Sequence, residues 1–200
     1  MLNASGVILS GGMSSRMAEN KAFSRVGGKR IIDIIVAKFK DRFEEIFIVS
    51  NQPELYDDLG VKVVSDIIPG KGPLSGLHSG LSHSRAPAIL AVACDMPFIN
   101  LALGEWMIKL LPGYDVVAPL IGGRFQPLFA VYAKSCLPVF ERCLSENKLK
   151  ISRIYKEELE VRYITEEEVA LFGQAEIMFY NVNSRDNLLK AQEIAKEVIT

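Results

Sequence analysis

The chain has 200 residues, of which 49% are hydrophobic and 24% charged, a composition ordinary for a soluble globular protein. The formal net charge of −1 provides no overall positive field to attract nucleic acid or anionic lipid. No apolar stretch approaches the roughly 20 residues that cross a bilayer, and no signal-peptide pattern opens the sequence. We therefore expect a single domain over residues 1–200, with neither nucleic acid nor membrane as a partner.

Three cysteines, Cys94, Cys136 and Cys143, stand at scattered positions. An odd number with this spacing fits neither a disulfide framework nor a zinc site. Reduced thiols are the normal state of cysteine in the cytosol, so the sequence favours a cytoplasmic location.

Apolar runs and segments of helical periodicity alternate along the whole chain. In chain order, we predict a strand at 6–10, a helix at 31–39, strands at 46–49 and 61–64, a helix at 74–84, a strand at 88–93, a helix at 102–111, strands at 116–118 and 127–133, a helix at 135–146, a strand at 161–164 and a helix at 185–198. The acidic run at 166–168 is typical of the start of a helix. The alternation predicts an α/β fold, a three-layer sandwich around a mainly parallel twisted sheet.

The first predicted strand runs into a polar, glycine-led segment at residues 11–21. Open parallel sheets bind ligands at the carboxyl ends of their strands, which is where this segment lies. Gly11 and Gly12 let the backbone approach a ligand closely, and consecutive amides can hold an anion. Arg16 offers a planar fork and Lys21 a compact charge for phosphate oxygens. The segment lacks the dinucleotide and P-loop glycine patterns, so it predicts another kind of phosphate loop, suited to a nucleoside triphosphate.

Polar side chains also follow three later strands. Asp95 comes directly after the apolar run 88–93 and Cys94, and Mg²⁺ prefers one or two carboxylates together with phosphate oxygens. A turn or cap is the alternative for Asp95, because Asp before Met-Pro is a good turn former. Asn51 and Asp66 follow the second and third strands, where each could equally be a solvated loop residue.

Five ordered motifs, which together extend over nearly the whole chain, resemble those of the MobA-like nucleotidyltransferases. They lie at residues 9–21 (Leu-Ser-Gly-Gly-x-Ser-Ser-Arg-Met-x-x-x-Lys), 69–76, 94–98, 126–128 and 181–183. The first motif by itself would identify only the wider superfamily, and the other four narrow the match. The resemblance implies a Rossmann-like nucleotidyltransferase fold, and transfer of GMP from GTP to molybdenum-molybdopterin with release of pyrophosphate.

The resemblance also implies a role for each matching residue. The catalytic residues would be Arg16, Lys21 and Asp95, with Asp95 holding Mg²⁺. The GTP-binding residues would be Leu9, Ser10, Gly11, Gly12, Lys21, Asn51, Asp66 and Asp95, with residues 70–76 adding backbone contacts to the base. The acceptor side would be Gln126, Asn181 and Asn183. GTP and molybdopterin would be the substrates, and other molybdenum cofactor maturation proteins and client molybdoenzymes are candidate partners.

Alternatives remain open at this point. The second glycine of residues 10–12 favours the guanylyl branch by resemblance, against a cytidylyltransferase, a sugar-phosphate nucleotidyltransferase or a non-catalytic GTP-binding subunit. Ala18 stands where many relatives carry glycine, which puts the geometry of the loop in question. His78 and His83 are five residues apart and share no helical face, so we predict no metal pair there.

Overall fold

The computed structural model of the protein describes residues 2–11 and 21–198. The sequence predictions for Gly12, Arg16 and Ala18 lie outside these described residues. The remaining candidate site residues can be placed in the fold.

Strands and helices alternate along the chain as the hydrophobic pattern predicts. The strands are β1 (Ser5–Leu9), β2 (Arg25–Val26), β3 (Lys29–Arg30), β4 (Ile46–Val49), β5 (Lys62–Val64), β6 (Ala88–Ala93), β7 (Val116–Ile121), β8 (Arg124–Phe125), β9 (Phe129–Ala133) and β10 (Val161–Ile164). The helices are α1 (Ile31–Lys40), α2 (Pro73–His83), α3 (Leu101–Leu110), α4 (Cys136–Ser145), α5 (Ile151–Glu157), α6 (Glu166–Ala170), α7 (Ala175–Met178) and α8 (Arg185–Val198). Short 3-10 helices cover Lys21–Phe23 and Pro53–Leu59.

The central sheet has the strand order β10-β7-β9-β6-β1-β4-β5, with β8 paired to β7. The ladders β10–β7, β6–β1, β1–β4 and β4–β5 are parallel, whereas β9 runs antiparallel to both of its neighbours. The predicted α/β fold with a mainly parallel sheet is therefore confirmed, with β9 and β8 making the sheet mixed.

Alternate residues of the strands face opposite sides of the sheet and build two cores. In β1, Ile8 belongs to the core formed with α1, α3 and the C-terminal helices. Val7 and Leu9 belong to the core formed with α2, α4 and α5. Helices thus cover both faces of the sheet, which gives the three layers that the sequence predicts.

Helix α2 packs closely on β1 through its small residues. A Cβ atom added to Gly80 would lie 2.7 Å from Cγ1 of Val7, and one added to Gly76 would lie 3.0 Å from Cδ2 of Leu9. The glycines therefore let the helix backbone approach the strand. This contact brings the start of α2 to the carboxyl end of β1.

Some elements differ from the sequence prediction. The strand predicted at 116–118 continues to Ile121 and turns through Gly122 and Gly123, which have φ of 54° and 69°, into β8. Two consecutive residues with positive φ form a tight turn whose twist matches that of the two strands of a hairpin. A pattern of hydrophobic residues does not predict such a turn. The acidic run is confirmed as a helix start, since Thr165 and Glu168 form a capping box at α6. Among residues 2–11 and 21–198, no helix has the length and apolar character to span a membrane.

Candidate active site

The carboxyl ends of β1, β4, β5 and β6 meet at one edge of the sheet. From β1 the chain passes to β4 and β5 on one side, and it then returns through α2 to β6 on the other side of β1. The reversal of strand order between β1 and β6 opens a crevice, and such switch points are where open α/β sheets bind ligands. At this point the backbone N–H of Cys94 donates to the carbonyl of Leu9 at 3.0 Å, which joins the ends of the two strands.

A cavity of about 430 Å³ lies on the β1–β4–β5 side of this crevice. Its volume is within the usual range for small-molecule sites. Among the residues that line it are the predicted nucleotide-binding residues Leu9, Ser10, Gly11, Asn51 and Asp66, together with Gly70, Gly72 and Gly76 of the second glycine motif. The fold therefore brings together residues that are up to 67 positions apart in the chain, between Leu9 and Gly76.

Asn51 and Asp66 hold each other across the ends of β4 and β5. The Asn51 amide donates to Oδ2 of Asp66 at 2.9 Å, and the Asp66 backbone N–H donates to Oδ1 of Asn51 at 3.0 Å. The reciprocal pair holds both side chains in place at the cavity wall. Gln52 and Val49, which the sequence analysis did not select, also line the cavity because they flank Asn51 at the end of β4.

The second glycine motif, at residues 69–76, forms a tight turn that leads into α2. Gly70 and Gly72 have φ of 77° and 66°, in the left-handed region that favours glycine, and Pro73 is the first residue of the helix. The first turn of α2 carries the positive end of the helix dipole, with the Ser75 N–H donating to the carbonyl of Gly72 at 3.0 Å. This wall of the cavity therefore suits negatively polarised groups of a ligand.

Lys21, Asp95 and Asn183 converge beside the crevice from three distant parts of the chain. The Lys21 ammonium donates to Oδ1 of Asn183 at 2.6 Å. The backbone N–H of Val182 donates to the carbonyl of Asp95 at 2.9 Å. The C-terminal Asn-Val-Asn segment thus closes onto the end of β6.

The carboxylate of Asp95 has a buried oxygen that needs a partner. Within the described part of the chain, its Oδ1 atom is buried and makes no hydrogen bond. Burial raises the pKa of Asp95 above its ordinary value, and the charge of Lys21 acts in the opposite direction. A buried oxygen without a partner is rare in proteins and is satisfied when a cation binds. This donor fits a hard divalent cation that would take its remaining ligands from phosphate oxygens and water.

The two histidines lie apart from this edge of the sheet. His78 is buried, with Nε2 at 3.6 Å from Oε1 of Glu141 on α4. His83 pairs its Nδ1 with the carbonyl of Ser79 at 2.9 Å. In the residues that the structure describes, no three or more His, Cys, Asp or Glu side chains form a group that could hold a metal ion.

A second set of side chains, which the sequence analysis did not select, surrounds Ser10. The hydroxyls of Ser10 and Tyr56 lie 2.6 Å apart and share a hydrogen bond. Burial raises the pKa of the Cys94 thiol to about 12, and the Ser10 hydroxyl acts in the opposite direction, so this thiol is protonated at neutral pH. Tyr56 is on the 3-10 helix Pro53–Leu59, whose short, irregular pattern carries no periodic signal in the sequence.

The residues predicted for the acceptor lie on the other side of β6 or beside it. Gln126 precedes β9, and the carbonyl of Leu128 accepts from Ala93 at the end of β6 at 2.8 Å. The Asn181 amide donates to the carbonyl of Phe179 at 2.8 Å, so this group braces its own segment. Asn183 contacts Lys21 and therefore lies closer to the proposed phosphate site than Asn181 does.

Comparisons with known proteins identify the family to which the chain belongs. The family described as MobA-like NTP transferase domain matches residues 6–161, and the chain belongs to this family of nucleotidyltransferases. A protein of Pelotomaculum thermopropionicum named probable molybdenum cofactor guanylyltransferase is 41% identical over 98% of this chain and 95% of its own length. The molybdenum cofactor guanylyltransferase of Desulfosudis oleivorans is 33% identical over 96% of this chain and 95% of its own.

A solved structure shares the fold over the same extent. The crystal structure of molybdopterin-guanine dinucleotide biosynthesis protein A from Archaeoglobus fulgidus superposes with a TM-score of 0.84 at 26% identity, covering 97% of this chain and 100% of that one. The family resemblance and the nucleotidyltransferase fold inferred from the sequence motifs are thus confirmed.

Proposed function

We propose that this chain transfers GMP from GTP to molybdenum-molybdopterin, forming the guanine dinucleotide cofactor and pyrophosphate. The observation that carries the proposal is its similarity, over almost the full length, to proteins named molybdenum cofactor guanylyltransferase. The cavity at the β1–β6 switch point supports it, because five of the predicted GTP-binding residues line that one space.

The nucleotide occupies this cavity in our proposal. Asn51 and Asp66, held to each other, and the backbone of residues 70–76 contact the guanosine. Ser10, Gly11 and Lys21 contact the triphosphate, together with Gly12 and Arg16, which lie outside the described residues. A triphosphate carries close to four negative charges, so backbone amides and cations in one place offset a large electrostatic repulsion.

Asp95 holds Mg²⁺ in this proposal, through the buried carboxylate oxygen that otherwise has no partner. The ion, when bound, neutralises phosphate charge and makes the α-phosphorus more electrophilic. Lys21 stabilises negative charge that builds on the departing pyrophosphate, and Asn183 holds its ammonium group in position at 2.6 Å.

The reaction is an in-line displacement. A terminal phosphate oxygen of the acceptor bonds to the α-phosphorus of GTP, and the bond from that phosphorus to the bridging oxygen breaks, which releases pyrophosphate. The attacking oxygen is already ionised, so the protein supplies no strong general base, and catalysis depends on positioning and on charge neutralisation. Gln126, Asn181 and Asn183 bind the pterin side in our proposal. Gln126 lies across the end of β6 from the nucleotide cavity, and Asn183 lies against Lys21, where the acceptor phosphate would approach the triphosphate.

We also propose that residues 1–200 act as one nucleotidyltransferase domain in the cytoplasm. The central sheet includes both the first strand, β1, and the last, β10. Helix α8 contacts the small β2–β3 hairpin, and both observations support a single unit. All three cysteines are free thiols, which suits a reducing compartment. Maturation proteins and client molybdoenzymes are the partners to test first, by co-purification with the cofactor-loaded enzyme.

The test is pyrophosphate release measured with Mg²⁺, molybdenum-loaded cofactor and each of GTP, ATP and CTP. We expect turnover with GTP and at least about a hundredfold lower kcat/KM with the other two, because a site that hydrogen-bonds a base edge leaves polar groups unpaired with the wrong base. Equal turnover with CTP would contradict guanylyl specificity. GTP binding without pyrophosphate release under any of these conditions would instead indicate a non-catalytic subunit.

A further inference from the structure

Tyr56 links the two described ends of the glycine loop. It lies on the 3-10 helix Pro53–Leu59 between β4 and β5, and its side chain is 1% exposed. Its hydroxyl shares a hydrogen bond of 2.6 Å with the buried hydroxyl of Ser10, where β1 ends and the loop begins. A hydrogen bond between two buried hydroxyls restricts the positions of both side chains.

Ser10 is held from several sides at this point. Its backbone N–H donates to the carbonyl of Val49 on β4 at 2.9 Å. Leu9, the residue before Ser10, accepts a hydrogen bond of 3.0 Å from the backbone N–H of Cys94. Cys94 directly precedes Asp95, so the Ser10–Tyr56 pair is connected to the residue proposed to hold the metal ion.

The other end of the loop also packs on Tyr56. The ring of Phe23, two residues after Lys21, lies with its centroid 5.4 Å from that of Tyr56 at an interplanar angle of 32°. The Arg30 guanidinium lies over the Phe23 ring at 5.6 Å. Arg30 also pairs at 2.6 Å with Asp58, two residues after Tyr56 on the same 3-10 helix. One helical turn thus touches the chain immediately before residue 11 and immediately after Lys21.

We propose that Tyr56 is a positioning residue for the triphosphate of GTP. Its hydroxyl holds Ser10 and its ring holds the segment Lys21–Phe23, so the start of the loop and the Lys21 ammonium keep a fixed separation before the nucleotide arrives. A site that is organised in advance loses less conformational entropy on binding, and this increases affinity without a direct contact. The inference rests on the proposed function and assigns a role to a residue that does not line the cavity.

The decisive variant is Tyr56→Phe, which removes the hydroxyl and keeps the ring against Phe23. Tyr155→Phe is the matched control, because Tyr155 is also buried, its hydroxyl bonds another tyrosine hydroxyl, and it belongs to the core on the opposite face of the sheet. We expect Tyr56→Phe to raise both the Kd and the KM for GTP about fivefold to tenfold, with kcat changed less than about threefold. Tyr155→Phe should leave the Kd and the KM for GTP within about twofold of the wild-type values. Its thermal midpoint should shift by about as much as that of Tyr56→Phe.

The double variant Ser10→Ala/Tyr56→Phe provides a second readout. If the two hydroxyls act as one unit, the loss of GTP affinity in the double variant should not exceed the larger single loss. Wild-type turnover with unchanged GTP affinity in Tyr56→Phe would overturn this inference and leave the proposed function standing. Equal losses in Tyr56→Phe and Tyr155→Phe would also overturn it, because they would indicate general loosening. A wild-type protein that neither binds nor cleaves GTP would overturn both.

Discussion

At the scale of single residues, Asp95 has a buried carboxylate oxygen, and its burial makes the ionised side chain unfavourable for the folding of the unliganded protein. Its Oδ1 atom makes no hydrogen bond within the described residues, and burial raises its pKa. Charging a carboxylate in such a place is unfavourable unless a cation is close. Lys21 offsets part of this cost, and its ammonium is itself held by Asn183. The same features that make Asp95 unfavourable for folding make it a suitable ligand for a divalent ion.

Replacing Asp95 with Asn should separate stability from activity. We expect pyrophosphate release to be abolished, because an amide cannot supply the negative charge that a hard dication requires. GTP affinity should fall less than turnover. The folded-state pKa is raised, so ionised Asp95 destabilises the folded protein above that pKa, and the variant should have the higher Tm near pH 7.5.

The pH dependence checks this prediction. The stability difference between Asp95→Asn and the wild type should shrink as pH falls through the raised pKa, and it should vanish below the ordinary value of 3.8, where the wild-type carboxyl is neutral in both states. Denaturant unfolding of both proteins at about pH 7.5 and pH 5 would measure it. Near-normal pyrophosphate release by the variant would instead support a turn or cap role, which Asn fills about as well as Asp.

Lys21→Ala should raise the KM for GTP and also lower kcat. Hydrogen bonds from a charged donor contribute about 1.5–3 kcal/mol, so we expect kcat/KM to fall roughly tenfold to a hundredfold. Lys29→Ala is a suitable control, since Lys29 is an exposed lysine on the nearby β2–β3 hairpin. Steady-state kinetics of both variants would decide, and an unaltered Lys21→Ala enzyme would exclude Lys21 from the site.

At the scale of elements, the close approach of α2 to β1 sets the shape of the nucleotide cavity. The helix begins at Pro73 beside the cavity and carries Gly76 and Gly80 against Leu9 and Val7 of the strand. Larger side chains at these positions would push the start of the helix away from the end of β1. The short distance between α2 and β1 therefore requires glycine at both positions, although glycine is unfavourable within a helix.

Gly80→Ala tests this packing. The added Cβ would lie 2.7 Å from a branched, fully buried side chain, so we expect a net loss of about 1–2 kcal/mol in unfolding free energy despite the better helix propensity of Ala. Val7→Ala in the same protein removes the clashing methyl groups, and the double variant should therefore be more stable than the sum of the two single losses predicts. Denaturant titration would measure all three variants, and simple additivity would contradict the steric explanation.

At the scale of the whole molecule, the reversal of strand order between β1 and β6 divides the site into two halves. The cavity proposed for the nucleotide lies over β1, β4 and β5, and Gln126, proposed for the acceptor, lies beyond β6 next to β9. In the proposed reaction, Asp95 and Lys21 stand between these halves, where the two phosphate groups would meet. This division follows from the topology, because β4 and β5 are added on one side of β1 and β6 on the other.

Nucleotide binding should stabilise the whole domain. Free GTP at about a hundred times its Kd, with Mg²⁺, should add about 2.7 kcal/mol to the unfolding free energy. For a chain of 200 residues this corresponds to a rise in Tm of roughly 5–10 °C. Differential scanning fluorimetry with GTP and with ATP at equal concentration is the measurement. A rise as large with ATP would contradict base recognition by the cavity.

Local patterns in the sequence determined much of this structure. The apolar run Ala88–Ala93 coincides with β6, and the helical periodicity from Ile31 coincides with α1. Both can be read locally, because a buried strand requires a continuous apolar run and a helix with one buried face requires apolar residues at helical spacing. The glycine motifs likewise indicate where the backbone must turn or approach a ligand. The sequence also indicated which strand ends are followed by polar residues, and Asn51 and Asp66 do meet in the cavity.

Tertiary structure alone decided the contacts between residues far apart in the chain. Lys21 and Asn183 are separated by 162 positions, and Ser10 and Tyr56 by 46, so no local repeat reports either pair. The antiparallel direction of β9 and the buried oxygen of Asp95 were equally invisible, because both depend on which element packs against which. Such contacts form only when the sheet is assembled, since the loop-closure entropy of long separations is offset by the packing of the complete core.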